Sequence, residues 1–356
     1  MTSAVRRLIV IPLLVLGLVA ALPAAAAPKS AFKLAWSIYV GWMPWQWAND
    51  HGIVKKWADR YGITIDVVQF NDYAESINQY TAGAFDALTV TNMDMLATPA
   101  VGGVDSTAIL VGDFSNGNDA VILKGKPDLA QIKGQRVNLV QFSVSHYLLV
   151  RALSTIGLSE RDVTVVNTSD ADLVAAYATP DVTAVTTWNP LVSEILKRPD
   201  AHKVFDSSQI PGEIIDLTIV NTGVLKDNPN FAKALAGIWY ETTAIMGADN
   251  AAGAAAREDM GKASGTDRAG FEAQLKTTKL FYSATEAADF AKSPALKQTM
   301  KSVRDFLFSH GLFGEGAASA DVIGIAFPDG SVLGDKAKVK VRFDSAVMDD
   351  AAAGRF

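Results

Sequence analysis

The chain has 356 residues, no cysteine and a formal charge of -6 at pH 7. Without cysteine there are no disulfides, no thiolate metal ligands, no Cys nucleophile and no lipidated Cys anchor. The mild acidity disfavours nucleic acid as a partner.

The N-terminus reads as a secretory signal peptide over residues 1–26. Arg6 and Arg7 form a basic start, residues 8–22 are almost wholly apolar, and Ala24 to Ala27 supply an A-x-A cleavage site. A spanning helix needs about 20 apolar residues, and this run is shorter. Removing 26 residues and two arginines leaves a chain of about 330 residues with a charge near -8, enough for two domains with cores. An exported chain with no lipid anchor points to a periplasm.

Short apolar runs then alternate with amphipathic ones. Residues 33–40 predict a strand, and Pro44 opens a helix running to about Arg60, with Trp47, Val54, Trp57, Ala58 and Tyr61 at helical spacing. Further strands fall at 63–70, 86–91 and 106–113, with helices at 73–81 and 92–101. The chain turns near Ser115-Asn116-Gly117-Asn118. A second set follows, with strands at 119–125, 135–140, 163–168 and 182–187 and helices near 145–156, 170–178 and 189–197. Residues 212–223 read as a strand leaving this set. The stretch from Asn228 to about His310 is helical and Ala-rich, and the last forty residues hold a hairpin turning at Pro328-Asp329-Gly330.

Strands alternating with helices predict parallel sheets covered by helices. Two sets predict two α/β lobes: 31–118 and 216–313 for lobe one, 119–215 for lobe two, and 314–356 as a C-terminal extension with a β-hairpin. Two crossings make a hinge, with a ligand in the cleft.

Ligands of open α/β sheets bind beyond the carboxyl ends of the strands. Those ends carry Tyr39, Gly41, Trp42, Met43, Pro44 and Trp45; Asn71, Asp72, Tyr73 and Glu75; Thr91, Asn92, Met93 and Asp94. The hinge offers Asn118 and Asp119. Lobe two offers Gln141, Phe142, Ser143, Ser145 and His146, then Thr187, Trp188, Asn189, Pro190 and Glu194. Asp216 lies on the return strand. None of these is Lys or Arg. Carboxylates beside indole faces suit a cation, since a planar guanidinium takes paired hydrogen bonds and stacks on indole. A neutral amide such as urea fits less well, and an anion would have to rely on helix N-termini.

Four of the seven Trp lie between Trp36 and Trp47. Trp36, Trp47 and Trp57 are expected to pack in the core, whereas Trp42 and Trp45 flank the strand-to-helix turn and are expected at the ligand. Asp72, Ser143 and Ser145 are also good N-caps. His146 beside Ser145 does not make a catalytic pair, because adjacent helical residues do not face each other. The four histidines show no metal-binding spacing. No cofactor, no metal and no catalysis are expected.

The segments TAGAFDALTVTNMDMLAT (81–98), DAVILKGKPDLAQIKGQRVNL (119–139), SVSHYLLVRALSTIGLSERDVTVVN (143–167) and VTAVTTWNPLVSEI (182–195), with its W-x-P element, resemble the nitrate/sulfonate/taurine-type solute-binding proteins of ABC transporters. The opening SIYVGWMPWQWANDHGIV is similar to the subgroup associated with urea carboxylase. The resemblance implies the two-lobed type II periplasmic-binding-protein fold, a small nitrogen compound (guanidinium or urea) as ligand, an ABC permease in the inner membrane as partner, and a monomer. The bulky Gln141-Phe142-Ser143-Val144 loop departs from the small Gly/Ser residues frequent in the family. An aliphatic sulfonate, nitrate or a pyrimidine is the alternative ligand. An enzyme of the same fold, resembling those that make the thiamine pyrimidine precursor, would need the Cys this chain lacks; an exported sensor subunit is the third alternative. The candidate ligand residues are Trp42, Trp45, Asp72, Asn92, Asp94, Asp119, Ser143, Ser145, His146, Trp188, Asn189 and Glu194.

Overall fold

A computed structural model describes residues 29–125, 127–314 and 316–356. The expected signal peptide lies outside them. Among the described residues no helix is long and apolar enough to cross a membrane.

The first sheet opens with β1 (Ala31–Ser37), β2 (Thr64–Phe70), β3 (Ala87–Thr91) and β4 (Ser106–Ser115). Between them lie α1 (Pro44–Asp50), α2 (Ile53–Arg60), α3 (Tyr73–Thr81) and α4 (Asn92–Met95). The chain then builds a second, five-stranded sheet from β5 (Ala120–Lys124), β6 (Arg136–Leu139), β7 (Thr164–Asn167), β8 (Ala184–Thr187) and β9 (Ala201–Asp206). Its helices are α5 (Val144–Thr155), α6 (Asp170–Ala178) and α7 (Leu191–Ile195). It returns through β10 (Ile215–Asn221) to the first sheet, where β10 inserts between β3 and β4. Helices Thr222–Asp227, Pro229–Gly247, Ala251–Ala263, Arg268–Leu275, Ala284–Ala291 and Pro294–Ser309 follow, interrupted by β11 (Thr278–Leu280) on the edge of β4.

Several sequence expectations change here. The single helix expected from Pro44 to Arg60 is two, because Gly52 adopts φ +74 and ends the first. The sheets are mixed rather than parallel: β10 runs antiparallel to both its neighbours, and β5 antiparallel to β8 and β9. A chain that leaves a lobe and re-enters it reverses direction, so its return strand pairs antiparallel. The short β9 and β11 carry no clear alternation and were not foreseen. At the C-terminus, β12 (Gly324–Ala326) and β13 (Val332–Leu333) form the hairpin across Pro328-Asp329-Gly330. The strand after it, β14 (Val339–Phe343), does not extend that hairpin. It lies parallel between β12 and β4, pinned by a bidentate Arg342–Asp105 pair at 2.8 and 2.9 Å.

The central strands are apolar along their length. Every residue of β3 is buried, as a strand covered on both faces requires. The helix Pro229–Gly247 covers one face against α1 and α2. Trp36, Trp45 and Trp239 are fully buried there, with Trp45 and Trp239 rings 5.5 Å apart.

The two crossings between the sheets lie side by side. Ser207 Oγ is 2.5 Å from Ser115 Oγ and accepts from the Gly117 N–H at 2.8 Å, while the Ser207 N–H donates to the Asp119 carbonyl at 3.0 Å. Gly117, at φ +109, supplies the turn. The hinge is thus a short zipped ribbon.

Trp45→Ala should cost about 3–5 kcal/mol of unfolding free energy, read from the denaturant midpoint, because the ring is core and its neighbours cannot collapse into the gap.

Candidate functional site

A small cavity lies between the sheets, lined by Tyr39, Trp42, Tyr73, Thr91, Asn118, Asp119, Val144, Trp188, Ile214 and Asp216. All ten are buried, so the cleft is closed around it. The lining comes from the ends of the central strands: β1 delivers Tyr39 and Trp42, β3 Thr91, β8 Trp188, and the crossings Asn118, Asp119, Ile214 and Asp216. Val144 opens α5.

One wall is aromatic. Tyr39 and Trp42 meet edge to face at 5.1 Å, Trp42 and Tyr73 at 5.7 Å, and Tyr73 and Trp188 edge to face at 5.7 Å. Such a run of π-faces attracts a cation. The other wall is acidic. Asp119 and Asp216 line the cavity, Asp94 lies behind Tyr73 and Thr91, and Asp113 lies behind Asp216. No lining residue is basic.

Burial pushes Asp94, Asp113 and Asp119 up to about 6, against the hydrogen bonds that hold each ionised form. Those bonds come to Asp94 from Tyr73 Oη and Thr91 Oγ1, both at 2.8 Å. Asp113 accepts from Tyr39 Oη at 2.6 Å. Asp216 rises further, by burial first and then by the charge of Asp113. Among the described residues no Lys or Arg pairs with any of these four. The fully buried Oδ1 of Asn118 has no partner.

Of the twelve candidate residues, Trp42, Asp119 and Trp188 line the cavity. Trp45 is behind it, in the core. Asp72 caps α3, accepting from the Glu75 N–H at 2.9 Å and from Ser169 Oγ at 2.7 Å, so its carboxylate is held at the rim while the next residue, Tyr73, lines the cavity. Asn92 ties β3 to the return segment, donating to the Glu213 carbonyl and accepting from the Ile215 N–H. Asp94 stands one layer back. Ser143 caps α5, and Ser145 is buried with an unpartnered hydroxyl. Asn189 accepts from Ser193 and donates to Thr277, and Glu194 is paired with Lys197 at the surface. His146 turns away toward Glu160.

His146, Glu160 and His310 are the group whose ligand atoms could hold a metal, all within 4.8 Å. The hydrogen bonds argue against that use. Nδ1 of His146 accepts from the Phe142 N–H at 3.2 Å, so Nε2 carries the proton and donates to Glu160 at 2.9 Å. A metal ligand would need that lone pair free. The cluster instead bridges the lobes, since His310 ends the helix Pro294–Ser309 and reaches Glu160 at 2.6 Å.

Tyr39, Tyr73, Thr91, Asn118 and Asp216 stand at predicted strand ends without singling themselves out; Val144 and Ile214 carry no polar signal. The signal for Asp216 is a lone carboxylate inside the apolar run IIDLTIV, and Asp113 sits likewise in AILVGDFS.

The NMT1-like family model matches residues 27–258. The chain belongs to that family. A relative with 24% identity over 185 residues is the taurine-binding periplasmic protein of Escherichia coli (strain K12); the match spans 50% of this chain and only 56% of that protein. Solved structures share the fold. The alkanesulfonate-binding protein SsuA of Xanthomonas axonopodis pv. citri, bound to MOPS, superposes with a TM-score of 0.67 at 17% identity, covering 82% of this chain and 96% of that one. The aliphatic sulphonate binding protein SsuA of Escherichia coli gives 0.65 at 18%, covering 81% and 94%. The nitrate-binding protein NrtA of Synechocystis PCC 6803 gives 0.57 at 13%, covering 90% and 98%. The fold of this NMT1-like chain is therefore the two-lobed type II fold of periplasmic binding proteins.

Two outcomes follow for this site. Asp72→Ala should cost about 1 kcal/mol of stability through the lost cap and weaken cavity binding only slightly in a titration, through the lost Ser169 bond across the rim. The ligand-free fold holds more protons at Asp216 than the unfolded chain does between the ordinary carboxylate range and its raised value, so this group's contribution to stability falls as pH rises through that window. Asp216→Asn should therefore gain on the wild type as pH increases from about 4 upward, measured as the difference in melting temperature at each pH.

Proposed function

We propose that this chain is the extracytoplasmic solute-binding protein of an ABC importer, working in the periplasm by closing its lobes over a small nitrogen compound. Guanidinium is the ligand the site favours, ahead of urea. The observation that carries this is the cavity itself: four aromatic rings face two buried carboxylates, with no basic residue in the lining. A planar cation supplies the missing charge, donates to Asp119 and Asp216, and stacks on indole. The unpartnered Oδ1 of Asn118 accepts a further N–H. Urea offers the same plane and donors without the charge. The function is binding and hand-over to a permease.

The relatives favour a second reading. Proteins described as binding taurine, alkanesulfonates and nitrate share this family or fold. An aminosulfonate would satisfy the carboxylates with its ammonium, but its sulfonate would find no basic side chain in the lining.

A thermal-shift titration with guanidinium, urea, taurine and nitrate, each at millimolar or lower concentration, separates these readings. A ligand at about 100 times its dissociation constant adds roughly 2.7 kcal/mol to the folded state. We expect the largest rise with guanidinium, and Asp119→Asn should weaken that binding by about 2–5 kcal/mol. A response to taurine or nitrate alone would transfer the assignment to the second reading.

A further inference from the structure

Asp113 and Asp216 are direct cross-strand partners in the β4–β10 ladder, and both are buried. Like charges directly opposite each other on a sheet repel, and burial removes the water that would screen them. Cross-strand partners project from the same face of the sheet, which sets the two carboxyl groups side by side. If both were ionised, neither could donate. Asp113 Oδ1 already accepts from Tyr39 Oη at 2.6 Å and from Thr278 Oγ1 at 3.3 Å. Its Oδ2 has no other donor and is sealed from water; a Cβ added to Gly41 would sit 2.4 Å from it. A proton held between the two acids satisfies this orphan oxygen.

Only one member of the pair reaches the cavity: Asp216 lines it and Asp113 does not. We propose that this pair stores one proton in the ligand-free protein and that a bound cation takes its place, so that each cation captured releases a proton to water. The inference rests on the cation reading of the site. Asp113 is then a positioning residue: it touches no ligand, but its charge keeps the proton on Asp216 until a cation arrives. A neutral ligand would leave the proton where it is, so proton release distinguishes guanidinium from urea at the same cavity.

Other groups near the pair do not supply this behaviour. Tyr39 is buried beside Asp113, and burial holds its hydroxyl protonated. Asp119 acts on Asp216 from the hinge. Burial raises it as well, to about 6, but it accepts from Ser115 Oγ, a bond that holds its ionised form. Thr91 and Thr278, on the flanking strands, carry no charge. Lys279 of β11 is exposed at the surface. Above pH 7 the proton available for exchange is the one between Asp113 and Asp216.

Two measurements test this. Isothermal titration with guanidinium chloride at pH 7.5, repeated in phosphate and in Tris, reads the protons released from the dependence of the heat on the buffer. We expect about one proton per site for the wild type, near zero for Asp113→Asn, and an affinity that rises up to about tenfold per pH unit while the pair titrates, with a flatter profile in the variant. Binding without buffer dependence would overturn the exchange while leaving the cation reading intact. The infrared spectrum of the ligand-free protein at pH 7.5 tests the stored proton independently of any ligand. A protonated-carboxyl band should appear in the wild type and vanish in both Asp113→Asn and Asp216→Asn. Its absence from the wild type would overturn the pair, whether or not either variant folds. If the band is present but guanidinium does not bind, the cation reading falls and the exchange with it.

Discussion

Four carboxylates, Asp94, Asp113, Asp119 and Asp216, are buried at the centre of this molecule, and among the described residues no cationic side chain answers them. Placing one such group out of water costs several kcal/mol unless it is paired or protonated. The architecture around them is a set of partial answers. Tyr39, Tyr73, Thr91 and Ser115 each turn a hydroxyl toward one of them, and burial raises the acids toward their neutral forms. What these devices do not provide is positive charge. The closed cleft is electrostatically unfinished, and under the function proposed above a bound cation supplies the missing charge.

Lobe closure and the acidic site depend on each other. Val144, which opens α5 in the second sheet's lobe, lines the cavity opposite the strand ends of the first. Ser169 reaches Asp72, the Tyr73 N–H reaches Asp170, and His310 reaches Glu160 across the same gap. These bonds exist only with the lobes together. They spread the cost of closing over the rim and let the cavity lining remain dry. The zipped crossings at Ser115, Gly117 and Ser207 confine the relative motion of the lobes to a narrow ribbon, the usual arrangement for a hinge around a ligand.

The two-sheet architecture was legible because each strand is a compact apolar run followed by a capped helix. The direction of β10 was not, since periodicity along a strand says nothing about which way its neighbours run. The cleft was legible at the level of strand ends, and this rule found Trp42, Asp119 and Trp188. It also pointed to Asp72 and Glu194, which do not line the cavity, because it cannot tell a carboxylate turned to its own helix cap or to a neighbouring lysine from one turned inward. It could not tell Trp42 from Trp45, three residues apart on one turn, where one ring faces the cavity and the other faces Trp239. Capping and ligand contact make the same demand on Ser143. Asp113 stayed unremarked because it acts through a partner distant in sequence.

The position of β14 has a consequence for how the molecule assembles. Lobe two is one unbroken stretch and can complete its sheet from its own residues. Lobe one cannot: β4 waits for β10 on one side, about a hundred residues later, and for β14 on the other, more than two hundred residues later. Pairing over such separations is slow, because loop-closure entropy must be met before the contacts form. Until Val339–Phe343 arrives, one edge of β4 remains open to chance pairing. The lobe that supplies most of the acidic wall is therefore the last to form, and the cavity comes into being only when the order of assembly is complete.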